Sequence, residues 1–205
     1  MGVWSTQVVP RVIDLALRGD DVSTWRRRCL EGLAGVVVEP GFGSGLNVAH
    51  YPSAVTKVFA VDPAPVGRRL AAKRIAASPA TIEHVGLSGE HLPLDTDSCD
   101  AGVLTFTLCT IPDHRAALAE LRRVIRPDGA LHFLEHGLAP DAAVQRWQHR
   151  ITPVQRRLVD GCHLNRSIID DIVAAGFGID WSEQRYAGRP KAASWFSVGR
   201  AVNPA

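Results

Sequence analysis

The segment Val36-Val37-Val38-Glu39-Pro40-Gly41-Phe42-Gly43-Ser44-Gly45-Leu46-Asn47 constrains this chain more than any other. An apolar run of this length reads as a buried strand. An acid closes the run, and glycines follow at alternate positions. Glycine lets the backbone turn sharply and approach a ligand where a Cβ would collide. Amide N–H groups that open a following helix would face that ligand with partial positive charge. The pattern predicts a strand–loop–helix nucleotide site.

The spacing narrows the ligand. A dinucleotide fingerprint requires G-x-G-x-x-G. Gly41, Gly43 and Gly45 instead follow G-x-G-x-G, and Leu46 stands where the third glycine would be needed. No G-x-x-x-x-G-K-[ST] occurs, which excludes a P-loop. An acid ahead of the glycines repels a pyrophosphate but suits a ligand that carries an ammonium group. S-adenosylmethionine is such a ligand, with adenosine, a sulfonium and a zwitterionic tail.

The rest of the chain agrees. Lys57-Val58-Phe59-Ala60-Val61-Asp62 is a second apolar run ending in an acid, and Asp62 lies 23 residues after Glu39. That is close to the spacing of about 20 residues expected for a ribose-binding carboxylate. Val85-Gly86-Leu87-Ser88-Gly89-Glu90-His91-Leu92-Pro93 follows, then a third apolar run over 100–107. Leu118, Leu121, Val124 and Ile125 share one face of a predicted helix, which Arg126-Pro127-Asp128-Gly129 is expected to stop. Strands are expected over 130–135, 178–184 and 194–202. Alternating strands and helices predict an α/β chain with a mainly parallel sheet covered on both faces.

With these motifs in order, the chain resembles the class I S-adenosylmethionine-dependent methyltransferases, of the methyltransferase type 11 group, from about Val36 to Ala201. The resemblance rests on E-P-G-F-G-S-G-L-N, Asp62, G-L-S-G-E-H-L-P and L-R-R-V-I-R-P-D-G. It implies a Rossmann-like sheet of seven strands, the last antiparallel, with S-adenosyl-L-methionine as cofactor. Glu39 would receive the methionine ammonium. Gly41, Gly43 and Gly45 would line the tail and ribose, and Asn47 would bind the carboxylate or cap the loop. Asp62 would hold the ribose, Pro63 would flank the adenine, and Leu87 and Ser88 would contact it. Thr105, ending the fourth strand, would lie beneath the methionine. Phe42 departs from the smaller residues usual there and narrows the site.

A narrower resemblance lies downstream. Leu108-Cys109-Thr110, Phe133-Leu134-Glu135-His136 and Asp160-Gly161-Cys162-His163-Leu164-Asn165-Arg166 look like elements of the methyltransferase-like thiol S-methyltransferases. This implies a small-molecule acceptor, with a thiol foremost. O-, N- or C-methylation of a phenol, quinone precursor or amine stays open, as does a non-catalytic cofactor-binding protein. His136, His163 and Asp160 are the catalytic candidates, with Cys162 beside them and Cys109 read as core or pocket wall.

At 205 residues the chain fits one globular domain. Residues 1–34 are expected to form two helices that cover the site, the second capped by Ser23, and 35–205 the cofactor-binding core. A net charge of +2 is too small to argue for nucleic acid. No signal peptide or membrane span is evident, so a cytoplasmic protein is expected. Its four cysteines show no zinc spacing, so reduced thiols and no metal are expected. In the helix expected over 141–159, Val144, Trp147, Ile151, Val154 and Leu158 recur at helical spacing among arginines. The reading adopted is a lid whose apolar face lies on the pocket or core. A membrane-surface helix is the alternative. Oligomeric state is not readable from the sequence.

Overall fold

The computed structural model describes residues 8–159 and 161–205. Two helices, α1 (Val9–Ala16) and α2 (Asp20–Leu30), precede strand β1 (Gly35–Pro40). Then come β2 (Val55–Val61), α3 (Pro65–Ala76), β3 (Thr81–Gly86), β4 (Cys99–Thr105) and α4 (His114–Val124). The chain ends through β5 (Ile125–His136), α5 (Ala142–Leu158), α6 (Ile168–Ala174), β6 (Gly178–Tyr186) and β7 (Trp195–Val202).

The strands form one sheet in the order β3-β2-β1-β4-β5-β7-β6. β2, β1, β4 and β5 pair in parallel, whereas β7 runs antiparallel to both β5 and β6. This is the expected seven-stranded Rossmann-like sheet. The central strands are buried on both faces, so their sequences are continuous apolar runs rather than alternations. Neighbours within a strand still point to opposite sides. Val37 joins a core with Trp25, Cys29 and Leu30 of α2, while Val38 joins one with Leu118 and Leu121 of α4 and Ile172 of α6. The two cores, one on each face, hold the sheet between its helices. The chain leaves β1 for β2 on one side, whereas β4 lies on the other. The carboxyl ends of β1 and β4 therefore border a crevice at the switch of strand order, where ligands of open α/β sheets bind.

The helix expected after the glycine turn is replaced by a single 3-10 turn over Val48–His50 that leads into β2, and three further local expectations are corrected. Ser23 does not cap α2; the helix starts three residues earlier, at Asp20, with Gly19 at its N-cap. Asp20 and Asp21 occupy the first turn, where acids complement the exposed amide ends. Arg126–Gly129 do not form a separate stop before β5. Helix α4 ends at Val124, and Ile125 is already a strand residue paired with Cys99, with an irregularity in register before Ala101 pairs with Ala130.

The third correction concerns α5, whose apolar residues do not share one buried face. Val144 and Ile151 turn partly inward, whereas Trp147, Val154 and Leu158 are 60%, 58% and 52% exposed. The fully buried residues of the helix are polar, Gln148 and Thr152. Gln148 explains this, because its side-chain amide serves backbone groups that no strand pairs. Its Nε2 donates to the carbonyls of Gly137 (2.9 Å) and Ala192 (3.1 Å), and its Oε1 accepts from the Ala139 N–H (3.0 Å). Among the described residues no helix is long and apolar enough to cross a membrane.

Candidate active site

The turn after β1 lies against the carboxyl ends of β2 and β4 and encloses a cavity of about 160 Å³. Glu39, Gly41, Gly43, Asn47, Asp62 and Thr105 line it, as the sequence motifs suggest. Val9, Pro10, Ile13 and Leu17, from α1 and its C-terminal end, cover it. Helix α1 is tied down by the buried Asp14, which pairs with Arg18 and, at 2.9 Å, with Arg74. Arg74 also donates to the Ser44 carbonyl at 2.7 Å, joining the cover to the glycine turn.

Gly41 and Gly43 adopt φ values of +71° and +55°, the region where a Cβ is strained. A Cβ on Gly41 would also collide with the Thr107 side chain. Gly45 has another role: it is absent from the cavity lining and packs where a Cβ would meet Ala71 and Phe42 at 3.3 Å.

Glu39 is buried at the cavity's inner end. Its Oε1 accepts from Asn47 Nδ2 at 3.0 Å, and its Oε2 accepts from the Tyr51 hydroxyl. Burial pushes its carboxyl up to about 7, against the pull of those donors and of Arg26. Asn47 Nδ2 also donates to Thr105 Oγ1 at 3.0 Å, and Asn47 Oδ1 accepts from Arg26 Nη1 at 2.6 Å. Arg26, only 4% exposed, thus brings a guanidinium to the same end of the cavity. Its Nε has no hydrogen-bond partner among the described residues. An unpaired buried donor of this kind is costly unless a ligand serves it. The cavity therefore offers an acid and a base side by side, a match for a zwitterionic amino-acid head.

Asp62 binds the turn as well as facing the cavity. Its Oδ2 accepts from the Gly43 N–H at 2.8 Å and its Oδ1 from the Ala64 N–H at 2.7 Å. A carboxylate has about four acceptor sites, so capacity remains for ribose hydroxyls. Burial raises its pKa, and those two amides oppose the shift. Pro63 is exposed, Leu87 is 62% exposed, and Ser88 accepts from the Glu90 N–H at 3.1 Å within its own loop. None of these three lines the cavity.

The catalytic candidates lie elsewhere. His136, ending β5, places Nε2 3.0 Å from Cys162 Sγ, and Cys162 Sγ stands 3.9 Å from Cys109 Sγ. Hydrogen bonding with Cys109 and then with His136 holds the Cys162 thiol well below its usual range, against burial. Burial lowers the His136 imidazole, but contact with Cys162 outweighs it and leaves its pKa raised. His163 Nδ1 lies 3.2 Å from the Cys109 carbonyl and its backbone N–H donates there at 2.8 Å; burial lowers its imidazole. Neither histidine lines the cavity. Asp160 lies outside the described residues.

The loop after β4, residues 106–112, joins the two regions. Phe106, Thr107 and Thr110 line the cavity, whereas Cys109 belongs to the cysteine–histidine cluster. Glu135 Oε1 accepts from the Thr107 and Leu108 N–H groups at 2.7 and 2.9 Å. Arg166 donates to the carbonyls of Leu108, of Ile111 at 2.8 Å and of Pro112 at 3.3 Å.

Comparison with known proteins agrees with this geometry. Residues 38–133 match the methyltransferase domain family. The chain is 33% identical over 168 residues to thiol S-methyltransferase TMT1B of Rattus norvegicus, covering 80% of this chain and 66% of that protein. It is 33% identical over 177 residues to the Homo sapiens protein of that name, covering 83% of this chain and 70% of that one. The chain thus spans about two thirds of the length of these relatives. The chain belongs to the class I S-adenosylmethionine-dependent methyltransferases. A solved methyltransferase of Methanosarcina mazei superposes with a TM-score of 0.64 at 18% identity, covering 82% of this chain and 92% of that one. Geranyl diphosphate methyltransferase, solved with its cofactor, gives 0.70 at 12%, covering 94% and 89%. Both show the shared fold.

S-adenosylmethionine is the cofactor of this methyltransferase, and the residues present fit it. Arg26 Nε and the buried Glu39 carboxyl suit the two charges of the methionine head, and the turn at Gly41 and Gly43 leaves room for a ligand. Sequence reasoning missed Arg26. The one signal available is its position four residues before Leu30 on the otherwise apolar face of α2, which also carries Trp25 and Cys29. The cavity cover from α1 carried no chemical motif at all.

Proposed function

We propose that this methyltransferase transfers the methyl group of S-adenosylmethionine to a small thiol. The cofactor supplies an electrophilic methyl on a sulfonium. The chain's own contribution is to orient and to exclude water. Arg26 and Glu39 fix the amino-acid head, Asp62 and the glycine turn fix the ribose, and α1 closes over both. Holding two reactants at an attack distance of about 3–3.5 Å is the largest advantage available to such a displacement. A closed apolar cover also favours it, because an anionic nucleophile and a sulfonium neutralise one another as they react.

One observation carries the thiol reading. The three sequence elements that resemble the thiol S-methyltransferases, far apart in the chain, converge on Cys109, His136 and Cys162 beside the cavity loop. The name of the relatives supports the same acceptor. A thiol of ordinary pKa needs only about 2 kcal/mol to ionise at pH 7, a modest demand on one basic group. The test is release of S-adenosylhomocysteine with a panel of thiols, phenols and amines, with products identified by mass spectrometry. Methylation of phenols or amines without any thioether product would overturn the acceptor assignment. Tight cofactor binding with no turnover at all would favour a sensor.

A further inference from the structure

Cys109, His136 and Cys162 come from three separate elements: the loop after β4, the end of β5 and the segment between α5 and α6. The two Sγ atoms and an imidazole nitrogen of His136 all lie within 4.8 Å of one another. The Cys162–Cys109 separation is 3.9 Å and the His136–Cys162 separation 3.0 Å. A tetrahedral Zn²⁺ with Zn–S of about 2.3 Å and Zn–N of about 2.0–2.1 Å sets its ligands about 3.8 Å (S to S) and about 3.5 Å (N to S) apart. The sulfurs are therefore already at ligand spacing, and the imidazole needs to back away from Cys162 by about half an ångström. Two soft thiolates and one imidazole select Zn²⁺ over harder cations. The backbone around them is braced: Glu135 and Arg166 hold the Cys109 loop, and the Cys109 carbonyl accepts the His163 N–H.

We propose that Cys109, His136 and Cys162 form a three-ligand Zn²⁺ site whose open fourth position takes a thiolate. Three protein ligands with one vacant corner is the coordination of catalytic rather than structural zinc. Cys109 and Cys162 are buried and His136 is partly exposed, with an Nδ1 that is buried and has no partner among the described residues. A thiol entering the vacant corner displaces the bound water, its sulfur forms the bond to the metal, and its proton leaves to that water. A thiol bound to zinc is deprotonated outright. The site would thus present an acceptor as thiolate at neutral pH. This second half rests on the thiol reading given above; the metal site itself does not.

The experiment uses the full chain, purified under a phosphine reductant and stripped of metal by a chelator, with Co²⁺ as the probe. The expected result is saturation at about one equivalent, with a near-ultraviolet thiolate-to-cobalt band and the visible bands of tetrahedral Co²⁺. Zn²⁺ is expected to bleach them. Cys109→Ser and Cys162→Ser are each expected to remove most of the charge-transfer band, and His136→Ala to weaken Co²⁺ binding. Cys99→Ser, in a separate core, is expected to leave the spectrum unchanged. Retained S-adenosylhomocysteine binding and circular dichroism would verify folding. Zinc competition against a chromophoric chelator tests the wild-type chain without any variant. Folded wild-type protein that takes up no Co²⁺ or Zn²⁺, or a cobalt band insensitive to both serine variants, would overturn the site. A small alkanethiol is expected to intensify the charge-transfer band, whereas phenol is not; a band indifferent to thiols would overturn the thiolate position. Metal uptake is read without turnover. Methylation of thiols by a chain that binds no metal would sink this inference alone, and cobalt binding in a chain that methylates only phenols would sink the acceptor assignment alone.

Discussion

Glu135 and Arg166 grip the same short loop by opposite ends of its peptide groups. Glu135 accepts from the Thr107 and Leu108 N–H groups, and Arg166 donates to the Leu108, Ile111 and Pro112 carbonyls. Replacing Arg166 by Met would leave buried carbonyls unserved. The expected loss is about 2–4 kcal/mol of unfolding free energy, read by urea denaturation, together with weaker cofactor binding because Thr107 and Thr110 line the cavity. Unchanged stability would mean the clamp is dispensable.

Glu135 also sets a pH trend. Burial pushes its carboxyl up to about 7, with the Leu108 and Thr107 amides opposing. Its pKa in the folded state thus exceeds that of the unfolded chain, about 4.3. Between those values the folded state binds more protons, so its contribution to stability falls as pH rises through the window and is constant above it. Glu135→Gln keeps an acceptor for both amides. It is expected to leave melting temperature near wild type at pH 5 and to raise it relative to wild type at pH 8. A variant less stable than wild type at pH 8 would contradict this account.

Cofactor affinity should depend on pH through Glu39. The free protein holds this carboxyl protonated up to about 7, whereas the ligand's ammonium is best served by the ionised form. Affinity for S-adenosylhomocysteine should rise as pH climbs through about 7 and fall at higher pH, once the ligand's α-amino group loses its proton. Calorimetry across this range is expected to give a bell, and Glu39→Gln to lower the maximum and abolish the acid limb. An acid limb that survives the substitution would assign it to another group.

Arg26 is expected to read the carboxylate of the amino-acid head. Arg26→Met should weaken S-adenosylhomocysteine binding by about tenfold to a hundredfold, the range for a lost charged hydrogen bond. It should leave 5′-methylthioadenosine, which has the adenosine and no amino-acid head, almost unaffected. Equal weakening of both ligands would show that the substitution acts through the fold.

Gly41→Ala tests the turn. The new methyl group would strike Thr107, and the residue would be held at φ +71°. Destabilisation of about 1–3 kcal/mol with loss of cofactor binding is expected from thermal melts and calorimetry. Gly43→Ala, at φ +55° with its nearest atom 3.7 Å from the added Cβ, should cost less. The reverse order would show that collision with Thr107 is not the governing effect.

The sheet and most of the polar lining of the cavity were legible because their physics is local. An apolar run, a terminal acid and glycines at positive φ announce themselves within a dozen positions, and Glu39, Asn47, Asp62 and Thr105 all meet at one cavity. Arg26 was illegible because its role depends on α2 folding back onto the end of β1, and one arginine of an Arg26-Arg27-Arg28 run resembles the next. Helix α5 misled for a different reason. Its apolar residues fall on one stripe of which only the edge with Val144 and Ile151 turns inward, and the buried side beside it is occupied by Gln148, whose backbone partners no periodicity reveals. Leu87 and Ser88 are read toward the adenine from motif position alone, and their loop lies outside the lining of this cavity. The meeting of Cys109, His136 and Cys162 is a long-range product of topology, and no spacing rule for metal ligands anticipates it.

Thr107, Cys109 and Thr110 ride on one strap braced along both edges, with the cavity on one side and the cysteine–histidine cluster on the other. Slack introduced at any point of that strap is transmitted to both at once. Substitutions far from either ligand, at Arg166 or Glu135, should therefore behave in kinetics as if they had struck donor and acceptor together.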